Sequence, residues 1–286
     1  MNILITGANN YIAHDLINFF SDKKSNKIIA TYKKKIKKIK KKNIIYEKID
    51  LTKNFSFDHK FDVLIHCAAA TPLKFYTKKE YEKINIEGFK KILKLCKKKI
   101  RNIILFSTVS VYGKIDVKVI SEKTPLNGQT NYAKSKIAME NILKKFSKKN
   151  NTKILILRLP GVIGTGINHN NFLSETISKI KENKEFNLFN PNFLFNNLVT
   201  TKGLYKIINK FIYKKNKKKI EIYNCGSKNS QKLIRIIFYI ARIFKTKPKF
   251  IIINSKSKNF TISTKKILKN NYPIDKIEKS LKEILI

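Results

Sequence analysis

The 286-residue sequence predicts an α/β chain: a doubly wound parallel sheet covered by helices on both faces, with a small C-terminal lobe. Three observations carry this expectation. The first half alternates apolar runs of strand length with segments of helical period. The first run, residues 2–5, enters a glycine turn that opens an amphipathic helix. The second half loses this regularity, as an appended lobe would.

Each element has its own reason. Predicted strands at 2–6, 27–32, 43–49, 62–67, 102–107 and 153–159 are apolar runs of the kind that a sheet buried on both faces requires. Helices predicted at 11–22, 78–98 and 131–148 carry apolar residues at three- and four-residue spacing. Beyond these, helices at 172–182, 202–214 and 230–244 and strands at 220–224 and 249–253 suggest a return to the sheet and a smaller lobe. The expected division assigns 1–165 with 196–225 to the sheet domain, and 166–195 with 226–286 to the lobe.

Composition narrows the function classes. No stretch of about 18 uncharged apolar residues occurs, and the chain begins at once with a strand, so neither a membrane span nor a signal peptide is expected. A cytoplasmic protein follows. Cys67, Cys96 and Cys225 are odd in number, far apart and set in apolar segments, which speaks for core residues rather than a disulfide framework or a metal site. The net charge of +43 would ordinarily suggest a nucleic acid, but the basic residues run along the whole chain. Only Arg101, Arg158, Arg235 and Arg242 among them are Arg, the residue favoured for bidentate recognition. Most of the charge therefore reads as solvated surface, without a dedicated nucleic-acid partner.

The turn TGANNYIA at 6–13 is the most informative segment. Unpaired N–H groups and the positive end of the helix dipole point into such a turn, and both favour the pyrophosphate of a dinucleotide. Gly7 permits the sharp turn, while Asn10 and Ala13 stand where glycines are common. Asn tolerates positive φ, and Ala is the smallest substitute. Gly7, Asn9, Asn10, Tyr11 and Ile12 are thus candidate cofactor contacts.

Ligands of an open parallel sheet bind beyond the carboxyl ends of its strands. Asp50 and Leu51 follow one strand, where they can contact adenine. Ala68, Ala69 and Ala70 follow another, small enough to let a cofactor approach the backbone. A third strand ends in Ser107 and Thr108, which present hydroxyls. Tyr132 and Lys136, four residues apart, share a helix face, and a nearby cation favours the phenolate of a tyrosine. The Tyr-x-x-x-Lys spacing occurs three times, at Tyr132/Lys136, Tyr213/Lys217 and Tyr272/Lys276, so the spacing alone selects nothing. Only Tyr132 lies one crossover beyond the strand that ends in Ser-Thr.

In order, TGANNYIA, Asp50-Leu51, HCAAA at 66–70, Asn85, STVSVYG at 107–113, YAKSK at 132–136, LRLPGVIG at 157–164 and IYNCGS at 222–227 resemble the extended short-chain dehydrogenase/reductase family, in its NAD-dependent epimerase/dehydratase group. The resemblance covers nearly the whole chain and implies a Rossmann-type fold acting on nucleotide sugars. It implies that Thr108 and Tyr132 hold the substrate oxygen, that Tyr132 exchanges its proton, and that Lys136 binds the nicotinamide ribose and lowers the tyrosine pKa. Pro160 falls within the cofactor-facing segment, and Asn85 takes the place of a structural helix Asn. A homodimer through the helices at 78–98 and 131–148 is a family expectation.

Val109 and Ser110 stand where family dehydratases carry Asp-Glu, which disfavours water elimination. Asn196 stands where many relatives place an Arg on the nucleotide diphosphate, and the 168–171 cluster, including His169 and Asn171, offers further neutral polar contacts. The small lobe favours reduction of a nucleotide-linked keto sugar, with 4-epimerisation as the alternative. Thr31-Tyr32-Lys33-Lys34, with no acid to bind a ribose 2′-hydroxyl, favours NADP over NAD and points to Lys33. A non-catalytic dinucleotide sensor and a polyanion-binding protein are the readings from other classes.

Overall fold

The structure, a computed structural model, describes residues 1–96, 100–165, 171–215 and 218–286. It is mixed α/β, as expected, and its contacts divide it into two compact units. The first comprises Met1–Gly113, Leu126–Arg158 and Ile208–Tyr223; the second comprises Lys114–Pro125, Leu159–Ile207 and Asn224–Ile286.

The first unit is built on a seven-stranded parallel sheet. Its strands are β1 (Asn2–Thr6), β2 (Lys27–Tyr32), β3 (Ile44–Lys48), β4 (Val63–His66), β5 (Asn102–Thr108), β6 (Lys153–Leu159) and β7 (Ile220–Asn224). Their order is β7-β6-β5-β4-β1-β2-β3. Chain order thus runs outward in both directions from the β1/β4 pair, and the gap between the diverging connections is where open sheets of this kind bind ligands. Thr6 pairs with His66 on one side and with Thr31 on the other, so the carboxyl ends of β1, β2 and β4 lie level. Every residue of β4 and β5 is buried, as strands covered on both faces must be.

Helix α1 (Tyr11–Ser21) follows β1 directly. The second helical segment opens as α2 (Lys78–Tyr81), widens into a π-helical stretch at Glu82–Glu87 and closes as α3 (Gly88–Leu95). The sequence predicts an uninterrupted helix there. The widened turn coincides with Asn85, whose buried amide reaches off the helix to three partners described below. Helix α4 (Asn131–Lys149) is capped by Thr130, whose hydroxyl accepts the N–H of Ala133 at 3.1 Å. Phe89, Ile92, Met139 and Leu143 pack with Leu64 and Ile103 of the sheet into the main core.

The second unit holds α5 (Phe172–Lys181), α7 (Leu233–Ile243), α8 (Lys265–Lys269) and α9 (Ile277–Leu285), while α6 (Thr201–Tyr213) contains the point of division. Its short strands pair two by two: Gly161–Ile163 with Leu198–Thr200, Phe186–Phe189 with Phe250–Ile253, Leu194–Phe195 with Gln231–Lys232, and Val119–Ile120 with Thr261–Ile262. Leu173, Ile177, Leu188, Ile237 and Leu281 form its core. The Lys114–Pro125, 159–165 and 196–207 segments count with this unit, where the sequence reading had set them in the sheet domain. Among the described residues no helix is long and apolar enough to cross a membrane.

Candidate active site

Gly7 has φ +78°, and a Cβ on it would stand 2.7 Å from the Cα of Ala68. Both facts require glycine, since an L side chain is strained there and would also meet fixed backbone. Asn10 behaves differently from the sequence expectation. Its φ is −99°, so tolerance of positive φ is not its reason. It is the N-cap of α1: its side-chain oxygen accepts the Ala13 N–H at 2.9 Å, and its amide nitrogen donates to the carbonyls of Gly7 and Cys67. One side chain thereby caps the helix and ties the glycine turn to the loop after β4. No acidic residue lies in the first turn of α1, so its positive end is not locally compensated.

The turn opens into a groove of about 270 Å³ at the carboxyl ends of β1, β2 and β4. Gly7, Asn9 and Asn10 line it, with Lys33, Asp50 and Leu51 along one stretch and Ala68–Ala70 along another. Asn9 shapes its rim by accepting the Lys33 N–H at 2.8 Å and donating to the Lys34 carbonyl at 2.9 Å. The Lys33 ammonium lies 3.1 Å from the Asp50 carboxylate. Burial opposes ionisation of Asp50, yet hydrogen bonds from Thr52 and the Lys33 charge hold it at about 2. Thr6 fixes the far wall, its hydroxyl oxygen accepting the N–H groups of Cys67 and Ala68 at 3.1 Å each. Small residues, a positive helix end and a narrow passage over Ala68 suit an extended ligand with an anionic centre, which a dinucleotide is.

Tyr11 is partly buried, and burial, with Asp15 and Tyr132 nearby, pushes its phenol up to about 12. Neither Tyr11 nor Ile12 is among the groove-lining residues, and neither is Pro160, which belongs to the second unit.

Thr108, Tyr132 and Lys136 converge. Thr108 ends β5 and caps the 3₁₀ turn Val109–Tyr112, its oxygen accepting the Ser110 N–H at 3.1 Å. Gly113 closes that turn at φ +71°, where a Cβ would collide with the Asn127 carbonyl. The Thr108 hydroxyl donates to the Ser110 hydroxyl at 3.2 Å and lies near enough to Tyr132 to act on its phenol. The Lys136 ammonium sits 5.8 Å from the centre of the Tyr132 ring and donates to the Phe106 carbonyl at 2.9 Å.

The electrostatics of the cluster depart from the sequence expectation. Burial pushes the Tyr132 phenol up to about 12, against the lowering effect of the nearby Thr108 hydroxyl. Burial also pulls Lys136 down to about 8, with Cys67 and Glu140 working the other way. The expected lowering of the tyrosine by Lys136 is therefore outweighed here, because both groups are desolvated. His66, stacked 4.7 Å from Phe89, is driven down to about 3 by burial and by the Lys136 charge, so it is neutral at pH 7.

Asn85 joins groove and cluster. Its oxygen accepts the Ala70 N–H at 2.7 Å, and its amide donates to the Ala70 carbonyl at 3.1 Å and to the Ser135 hydroxyl at 2.9 Å. Ala70 lines the groove, and Ser135 lies between Tyr132 and Lys136 on α4.

Two residues read from the sequence as substrate contacts have other work. Asn171 caps α5, accepting the Ser174 N–H at 3.1 Å and donating to the Val162 carbonyl at 3.0 Å, and it also lines a groove of the second unit. Asn196 is buried and clamps the backbone of Ile262 from both ends, at 2.8 and 2.9 Å, while also donating to the Ser227 carbonyl. Both its N–H groups are spent, which leaves none for a phosphate. His169 lies outside the described residues.

Sequence reasoning missed several neighbours. Tyr76 lines the groove and packs on Tyr81, whose ring lies 6.1 Å from that of Tyr132. With 12 tyrosines in the chain, nothing in the sequence singles these two out. In the second unit, Asn197 lines a groove of about 190 Å³ with Phe172 and Phe195, and its side-chain oxygen has no hydrogen-bond partner among the described residues.

The model of the NAD dependent epimerase/dehydratase family matches residues 3–226. The chain is 24% identical over 265 residues to ADP-L-glycero-D-manno-heptose-6-epimerase of Brachyspira hyodysenteriae (strain ATCC 49526 / WA1), covering 85% of this chain and 81% of that protein. It is 27% identical over 202 residues to GDP-6-deoxy-D-talose 4-dehydrogenase of Aggregatibacter actinomycetemcomitans, covering 66% and 63%. Its fold is similar to that of UDP-glucuronic acid 4-epimerase from Bacillus cereus in complex with NAD, with a TM-score of 0.83, 18% identity, and coverage of 100% of this chain and 97% of that one.

Proposed function

Because the chain belongs to the NAD dependent epimerase/dehydratase family, an enzyme family acting on nucleotide sugars, we propose that it reduces a nucleotide-linked keto sugar, with Tyr132 as the proton donor. The observation that carries this reading is the meeting of Thr108, Tyr132 and Lys136, joined through Asn85 and Ala70 to the groove opened by Gly7. When bound there, the dinucleotide supplies the hydride. Thr108 and Tyr132 hold the substrate oxygen by hydrogen bonds. A phenol held at about 12 keeps its proton at neutral pH, which is the form a reduction draws on. Lys136 holds the nicotinamide ribose, and its charge stabilises the phenolate as the proton leaves.

Gly7, Asn9, Asn10 and Ala68–Ala70 bind the pyrophosphate and the nicotinamide half, and Asp50 with Leu51 binds the adenosine. Lys33, Lys34 and Lys74 line the groove and favour NADP. The Lys33–Asp50 pair works against that preference, and the Bacillus cereus neighbour is a complex with NAD, so NAD is the second reading of the cofactor. In the second unit, the groove lined by Asn197, Phe172 and Phe195 suits a nucleoside, which a ring stack and one polar contact would recognise.

Epimerisation is the second reading of the reaction, favoured by the epimerase among the relatives, while the 4-dehydrogenase among them favours simple hydride transfer. Both begin with the same step. Purified protein is incubated with UDP-, GDP-, dTDP- and ADP-linked sugars and their 4-keto forms, with NADPH or NADH, and then with NAD⁺. Stoichiometric loss of reduced cofactor absorbance supports the reductase. Interconversion of sugars without net cofactor change supports the epimerase, and no change in either sugar or cofactor refutes both.

A further inference from the structure

One turn beyond Lys136 on α4, a carboxylate and a guanidinium are buried together. Glu140 is fully buried and Arg158 is 3% exposed. Arg158 donates to both carboxylate oxygens of Glu140, through Nε at 3.0 Å and Nη2 at 2.8 Å, and through Nη1 to the Tyr112 hydroxyl at 2.9 Å. Ser107 donates to the same carboxylate at 2.6 Å. The guanidinium also lies 5.2 Å from the centre of the Tyr112 ring. Four segments meet there: the end of β5, the 3₁₀ turn, α4 and β6.

Such a pair is poor evidence for stability as such, because desolvating two charges cancels most of their attraction and apolar replacements often serve as well. Its connections suggest a different role. Ser107 and Tyr112 bracket Thr108 on either side, and Glu140 stands four residues after Lys136, on the same helix face. The groups that face Lys136 are His66 and Cys67 at the end of β4, with Tyr132 and Glu140 on its own helix. His66 is neutral, and burial pushes the Cys67 thiol up so that it stays protonated. Glu140 is thus the anion among them.

We propose that Glu140 and Arg158 are positioning residues for the active site: they lock the Thr108 turn to α4 and β6, and Glu140 supplies the counter-charge for the buried Lys136 ammonium. The inference rests on the reading of Lys136 as a cofactor contact for its second half only.

The test compares the wild type with Glu140→Gln, Glu140→Leu/Arg158→Met and Lys136→Met. Each is followed by thermal melting, by deuterium exchange in peptides covering 107–113, and by NADH and NADPH binding from pH 6 to 10. The double variant fills the space without leaving an orphan charge, so it melts near the wild type, yet exchange in 107–113 rises about tenfold. Removing a negative charge beside an ammonium disfavours its charged form, so the high-pH loss of dinucleotide affinity moves to lower pH in Glu140→Gln, and moves less in the double variant, which removes the Arg158 positive charge as well. A purely structural pair would change the melting temperature and leave that midpoint in place. Wild-type exchange in 107–113 together with an unmoved midpoint overturns the proposal. If the double variant does not fold, Glu140→Gln decides by the same two readings. If Lys136→Met keeps the wild-type pH dependence of binding, the cofactor role of Lys136 falls, and the exchange result alone decides the locking role of the pair.

Discussion

Lys136 shows how a residue kept for chemistry can work against the fold. Its ordinary value of 10.5 falls to about 8 on folding, through burial. The unfolded chain therefore holds more protons between those two values, and stability rises with pH through that window. Below about pH 8 the penalty is present in full. Lys136→Met should raise stability at pH 7 by roughly 1–3 kcal/mol after loss of the bond to Phe106, a few degrees in Tm, while removing activity. The advantage over wild type should shrink toward pH 10.5. Melting curves at pH 7 and 10 check this, and a lower Tm for the variant at pH 7 contradicts it. Gly7 gives a second case. Gly7→Ala forces a side chain into positive φ and against the Ala68 backbone, so it should cost about 1–2 kcal/mol in conformation alone and weaken dinucleotide binding at least tenfold. Equal affinity in the two proteins would contradict the groove assignment. Gly7, Thr108, Tyr132 and Lys136 stand out in the sequence because a turn, a strand end or the helix one crossover beyond it marks their places. Asn171 and Asn196 show why the sequence cannot separate a helix cap or a buried backbone clamp from a ligand contact, since all three use the same amide chemistry.

Among the elements, the π-helical stretch at Glu82–Glu87 matters most for the site. It carries Asn85, whose side chain links the Ala70 loop to Ser135. Replacing Asn85 by Leu would leave the Ala70 N–H and C=O without their partner inside the protein. The expected cost is roughly 2–4 kcal/mol. Urea unfolding of the variant measures it, and a change below about 0.5 kcal/mol, the range of ordinary surface substitutions, would show that the link is dispensable. Strands such as Asn2–Thr6, Lys27–Tyr32 and Lys153–Leu159 fall where the apolar runs predict them, because near-complete burial on both faces leaves a continuous signal, and the edge strand Ile220–Asn224 falls where its shorter run predicts it. The π stretch gives no such signal, since one widened turn leaves the apolar spacing around it nearly intact. Of the two- to four-residue strands of the second unit, Phe250–Ile253 falls within the run predicted at 249–253, while the others are hidden, being too short for a period to register.

The whole chain carries +43 charges, and this bears on stability more than on partners. Like charges spread over a compact protein repel one another, and salt screens them over about 10 Å at 0.1 M. Raising sodium chloride from 0.02 to 0.5 M should therefore raise the Tm by several degrees. A Tm that falls with salt would mean that attractive surface pairs such as Lys41–Asp22 and Lys206–Asp275 outweigh the repulsion. Composition alone made this charge visible, but it could not show that the reaction cluster holds a protonated Tyr132 and a neutral His66 around a Lys136 ammonium weakened by burial. That contrast arises from burial, which only the fold supplies. The central claim is that this cluster transfers a proton while a dinucleotide held in the Gly7 groove transfers hydride. Single-turnover oxidation of bound NADPH or NADH by a nucleotide 4-keto sugar, in wild type and in Tyr132→Phe, tests it most directly. The account predicts equal cofactor affinity in both proteins, and oxidation at least about a hundredfold slower in the variant. Oxidation by Tyr132→Phe at the wild-type rate would contradict it.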